Sequence, residues 1–174
     1  MSENKERWIL AAVLPLIVIM LLAVWGAKPR TDEMIIETSA NGFWDLSETG
    51  IRQKAVRLTG AVEYVADALL TPQEFSERPD IHVGQPGSET QYATSRMHLT
   101  VPQGSYLICG YSVDFASRMY VNGELIFEAG IPGNSRETTT PGVKFYLLPV
   151  SPDANGELVI VQQAANFTHK DGGP

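Results

Sequence analysis

The sequence predicts an all-β protein, an antiparallel β-sandwich, preceded by one N-terminal transmembrane helix. Three observations carry this. One long uncharged apolar run stands near the N-terminus. Beyond residue 38 no segment sustains a 3.6-residue period. Six or seven short stretches rich in branched and aromatic residues instead alternate with turns bearing glycine and proline.

The apolar run is "WILAAVLPLIVIMLLAVW", Trp8 to Trp25, 18 residues without a charge. That sits at the lower end of the length needed to cross about 30 Å of hydrocarbon as a helix. Tryptophan at both ends suits the headgroup layer, and a membrane helix tolerates Pro15. A cleaved signal peptide has a shorter core ending in small residues. Here Trp25 stands beside any cleavage point in "AVWGAK", which favours a retained anchor. Lys5 and Arg7 precede the run and Lys28 and Arg30 follow it, a nearly balanced pair of flanks. The remainder is acidic, so the expected arrangement is a cytoplasmic tail over 1–7, a helix over 8–25 and a juxtamembrane linker over 26–40. The β domain over 41–174 then lies outside a single-pass cell-membrane protein.

Within that domain, Phe43, Trp44 and Leu46 form an entry segment able to dock on a core. Val56, Leu58, Val62 and Tyr64 lie at even positions, the period of a half-buried strand. "LLTPQEFSERPD" carries Pro72 and Pro79 and can hold only a short turn of helix. "SRMHLTVP", "SYLICGYSVDFASRMYV", "GVKFYLLPV" and "GELVIVQQAAN" supply further strands. Asn122-Gly123, in "RMYVNGELIFEAG", marks a structural hairpin turn. Placing all its apolar side chains on one face predicts a three-residue loop with Gly123 at positive φ. Met119 then faces Leu125, Ser117 faces Phe127 and Phe115 faces Ala129.

Composition narrows the function. An apolar fraction of 44% with 19% charged residues fits a folded chain. A net charge of −7 argues against nucleic acid, which needs a basic surface. Cys109 is the sole cysteine, so no intrachain disulfide can form. Its place in "SYLICGYSV" predicts a buried thiol. His82, His98 and His169 have no metal-ligand spacing. No nucleophile elbow, phosphate loop or dinucleotide motif is present, so no catalytic residue, cofactor or metal is assigned and the chain is not expected to be an enzyme. Sugar recognition needs an aromatic platform ringed by amide, guanidinium or carboxylate groups. Trp44, Tyr92, Tyr111, Arg96, Asn166 and His169 are the candidates for such ligand binding. For Trp44 a core anchor is the competing reading, and for Arg96 an ion pair.

Three phrases taken in order carry a family likeness: "LTGAVEYVADALLTPQEF", then "ATSRMHLTVPQGSYLICGYSVDFASRMYVNGELIFEAGIPGNSRETTTPG", then "ELVIVQQAANFTHKDGGP". Over about residues 55–174 the chain resembles the extracytoplasmic sensor domain of bacterial membrane signalling proteins, the 7TMR-DISM type. Ser95 stands where that family has an aromatic residue and Val62 where it has tryptophan. The resemblance implies a jelly roll of galactose-binding-domain-like fold and a ligand-sensing, carbohydrate-binding role in signal transduction. It also implies continuation past "KDGGP" into another strand, and an output kinase or diguanylate cyclase in a larger receptor. Expected partners are the membrane and a carbohydrate or other small molecule, with no nucleic acid; a homodimer is compatible. Two further classes compete: a carbohydrate-binding accessory module of a cell-surface enzyme, and a structural surface sandwich mediating protein contacts.

Overall fold

A computed structural model describes residues 34–52 and 54–168. The expected membrane helix over 8–25 and the tail before it lie outside the described residues. No helix among the described residues is long and apolar enough to cross a membrane.

Ten strands and one short helix make up the described chain. β1 is Ile35–Ser39, β2 Phe43–Asp45, β3 Val56–Gly60, β4 Val62–Ala66, β5 His82–Gly84 and β6 Tyr92–Thr100. β7 is Tyr106–Val121, β8 Glu124–Ala129, β9 Gly142–Val150 and β10 Glu157–Ala165; helix α1 is Pro72–Ser76. The main sheet runs β5-β4-β6-β10-β7-β8, antiparallel throughout, and β2 adds to β6 in parallel. The fold is therefore all-β and mostly antiparallel, with layers packed on the central sheet.

Alternation along the strands decides which side chains meet. On one face Leu99, Met119, Val121, Phe127, Leu158 and Ile160 gather with Trp44 and Leu46 into the main core. Two ribbons supply packing partners to it. The first half of β7 pairs with β9 and contributes Tyr106, Ile108, Tyr146 and Leu148, while β3, paired in parallel with β1, contributes Val56 and Leu58. The Tyr146 ring occupies the space a side chain at Gly110 would need, so glycine there lets the tyrosine lie over the strand and meet Phe127 at 4.5 Å. On the opposite face Val65, Thr94 and Val161 are buried, as is Phe75 of α1. Thr94 Oγ1 ties down the segment leading into the helix, donating to Ala68 O at 2.9 Å and accepting from Leu70 N at 2.8 Å. Thr71 and Glu74 close a capping box around Pro72, which explains a helix in so short a space.

Four expectations are corrected. Residues 35–39, placed in the linker, form β1, because Ile35 to Ser39 pair with Val56 to Gly60 in parallel. The even-numbered apolar positions from Val56 to Tyr64 belong to two strands. Gly60, at φ +102, turns the chain where a Cβ would collide with Ser39 O, and β4 leaves for the main sheet. The β7–β8 hairpin turns through two residues, Asn122 at φ +49 and Gly123 at φ +86, with Val121 opposite Glu124. A register shift beside Met119 then sets that residue opposite Phe127 and Ser117 opposite Ala129. A bulge at Ile126 thus gathers the apolar groups, and Leu125, facing Tyr120, is left exposed. Finally, Cys109 is exposed rather than buried, because it alternates onto the outer side of the β7–β9 ribbon.

Candidate functional site

At one end of the main sheet the chain leaves β4 through Asp67, Ala68 and Leu69. Asp67 adopts φ +53, which an aspartate tolerates better than most residues, and its N–H donates to Tyr92 O at 3.0 Å. That bond brings the β4 exit beside the first residue of β6. The β8–β9 connection lies against the same end. Its neck is closed by Ile131 and Thr140, which exchange two backbone hydrogen bonds of 2.8 and 2.9 Å. Beyond the neck the loop is self-bonded. Ser135 O accepts from Thr139 N at 3.0 Å and Thr139 Oγ1 at 2.7 Å, and Thr138 Oγ1 reaches Asn134 Oδ1 at 3.4 Å. Gly133 is required because a Cβ there would enter Thr138.

Between these segments lies an open cleft of about 400 Å³, lined by Asp67, Ala68, Leu69, Tyr92, Pro132, Gly133, Asn134 and Thr138. Its size is within the range of small-ligand sites. The Tyr92 ring is backed by Phe167, with centroids 6.1 Å apart, and Arg136 donates to Phe167 O at 2.5 Å. The β8–β9 loop and the segment after β10 therefore hold the tyrosine wall together. Among the described residues no hydrogen bond or ion pair engages the Asp67 carboxylate. Asp67, Asn134, Thr138 and Tyr92 thus border one open space. Such a set can accept and donate to vicinal hydroxyls while the ring covers an apolar patch.

The residues expected to bind ligand are not brought together. Tyr92 lines the cleft. Asn166 is buried beside it, its N–H donating to Gln91 O at 2.7 Å and its Oδ1 accepting from Thr168 N at 3.2 Å, so it positions the Phe167 segment. Arg96 lies elsewhere, its Nε donating to Glu63 at 2.6 Å and its guanidinium 4.7 Å over the Phe75 ring. Trp44 is a core residue whose Nε1 donates to Glu37 O at 3.2 Å. It also edges a shallow groove with Leu58, Val62 and Met97, where Thr59 and Gln85 are the only polar side chains. Tyr111 is exposed on the outer side of the β7–β9 ribbon. His169 lies outside the described residues. Sequence reasoning missed Asp67, Asn134 and Thr138. "GIPGNS" was legible as a loop, but nothing local tells which loops end side by side.

A second polar cluster sits on the α1 face of the sheet. Glu63 faces both Arg96 and His98, the latter with Nε2 at 3.3 Å, and the His98 ring stacks on Phe43 at 4.4 Å. Burial, reinforced by the Arg96 charge, holds the His98 imidazole below its ordinary pKa against the opposing pull of Glu63. Among the described residues no group of three or more His, Cys, Asp or Glu side chains is arranged to hold a metal ion.

Compared with known proteins, the chain matches no family model and no curated protein.

Proposed function

We propose that this chain is an extracytoplasmic ligand-sensing domain of a bacterial membrane signalling protein, held at the membrane by Trp8–Trp25. In this reading the sandwich is a jelly roll of the galactose-binding kind, and the cleft takes a carbohydrate. The observation that carries the reading is that Asp67, Asn134, Thr138 and the braced Tyr92 ring border one open cleft. The phrases quoted above add the signalling context. Occupancy would bias the cleft between two arrangements of its loops, and a ligand acts on a sensor only through such a difference in affinity.

Calorimetric titration of the full chain in lipid nanodiscs with a panel of mono- and disaccharides tests the proposal. Binding of at least one sugar, weakened about tenfold or more by Asp67→Asn and lost on Tyr92→Ala, is the expected result. Flat responses across the panel overturn it.

A further inference from the structure

The outer side of the β7–β9 ribbon is the most apolar exposed surface of the described chain. Leu107, Cys109 and Tyr111 on β7 alternate outward, and Val143, Phe145 and Leu147 on β9 do the same. Tyr111, Val143 and Phe145 are 71%, 75% and 73% exposed, and Leu107 and Leu147 are 62% and 55%. The paired positions fall in register, Cys109 opposite Leu147 and Tyr111 opposite Phe145, so the patch is contiguous. Taking about 150–250 Å² for a fully exposed aromatic side chain and less for the aliphatic ones and the cysteine, and weighting by exposure, these six present roughly 600–700 Å². That exceeds the usual largest patch on a monomer, about 300–600 Å². It approaches the ~800 Å² that each partner gives to a standard interface.

We propose that this face is the seat of a second copy of the chain, the two ribbons packing outer face to outer face about a two-fold axis. Charge selects the occupant. The chain carries −7 overall, yet none of these six outward positions is charged. Two acidic copies can approach here with the least repulsion and bury apolar groups against each other. A lipid surface would call for a basic rim. The one lysine of β9, Lys144, is exposed but alternates to the other side of the strand, with Nζ 5.3 Å over the Phe127 ring and donating to Glu128 O. Cys109 is a second observation in the same direction. It is the sole cysteine, it is exposed, and it stands within the apolar patch, where the thiol available to it is that of another copy. Pro149, which cannot donate to a ladder, lies on β9 and removes one donor from that strand. The interface is separate from the ligand cleft, and either can fail without the other.

The test uses the full chain in detergent micelles and in native membranes. Light scattering coupled to size exclusion is expected to report a dimer, and a short bismaleimide is expected to link Cys109 to Cys109. Phe145→Glu sets two like charges inside the apolar contact and weakens dimerisation by at least about a hundredfold, with loss of the crosslink. Phe145→Ser, which removes the ring without adding charge, is expected to weaken it less and to keep the wild-type melting temperature and circular dichroism. A monomer across the micromolar range overturns the proposal. So does a dimer that both substitutions leave intact, or a stable complex with a different protein and no self-association.

Discussion

Arg96 Nε donates to Glu63 at 2.6 Å across the β4–β6 pair, and the two side chains are only 16% and 14% exposed. The same guanidinium lies over Phe75 and reaches Ser76 Oγ at 3.2 Å. The pair thus fastens helix α1 to the sheet. Removing one partner leaves the other partly desolvated and uncompensated, a loss between that of a surface pair and that of a fully buried one. Glu63→Gln should therefore cost about 2 kcal/mol in urea denaturation. Arg96→Ala should likewise lower stability while leaving sugar affinity at the cleft within about twofold, because additivity holds for sites without shared partners. A large affinity loss in Arg96→Ala would return this residue to the binding site.

His98 stacks on Phe43 beside that pair, and burial followed by the Arg96 charge depresses its pKa, against Glu63 and Glu157. The unfolded chain then binds the imidazole proton more readily than the folded one. Its contribution to stability is full above about pH 6.5 and is lost as the pH falls through the depressed folded value. Melting temperature should drop between pH 7 and pH 5, and His98→Gln should flatten the slope in that window. An unchanged slope in the variant assigns the pH dependence to other groups.

Gly60 and Gly123 share a left-handed backbone, at φ +102 and +86, yet their surroundings differ. A Cβ at Gly60 would strike Ser39 O, whereas Gly123 has open space around it. Gly60→Ala adds a backbone clash to the conformational strain and should cost at least about 2 kcal/mol. Gly123→Ala carries the strain alone, about 1–2 kcal/mol. Chemical denaturation of the two variants separates them, and equal losses would argue against the close approach of β1 to the end of β3.

Asp67→Asn retains the shape of the side chain and suits the positive φ, so the fold should survive. The variant loses a charged acceptor in the cleft, worth about 1.5–3 kcal/mol, or roughly 10- to 150-fold in affinity for a hydroxylated ligand. Calorimetry on matched folded samples measures it. Undiminished affinity would remove Asp67 from the site.

Much of the strand content was legible because alternation is a local property. "SRMHLTVP" and "GELVIVQQAAN" declare strands by their composition, and they pair with each other as β6 and β10. The capping residues around Pro72 likewise lie within one turn of chain. Ile35 to Ser39 was missed because its charged surroundings hide a strand whose partner, Val56 to Gly60, begins beyond an intervening strand and turn. The hairpin shows the limit most clearly. Both a three-residue loop and a two-residue turn with a bulge collect apolar groups on one face. They differ in whether Leu125 or Phe127 meets Met119. Phe127 prevails because it reaches Tyr146 on β9, a contact made by a distant strand.

The same division holds for the candidate surfaces. By itself the sequence determined an all-β, mostly antiparallel arrangement of the described residues, an Asn122-Gly123 turn and the absence of any intrachain disulfide, since each depends on residue type or on spacing within a few positions. Tertiary structure alone decided that Asp67, Tyr92, Asn134 and Thr138 share a cleft, and that Arg96 and Trp44 do not belong to it. It also decided which side of "YLICGY" faces inward. Both sides of that strand are apolar, so no local pattern can choose. The choice follows from the path of β7 over the core, which half-buries Tyr106 and Ile108 and turns Leu107, Cys109 and Tyr111 outward.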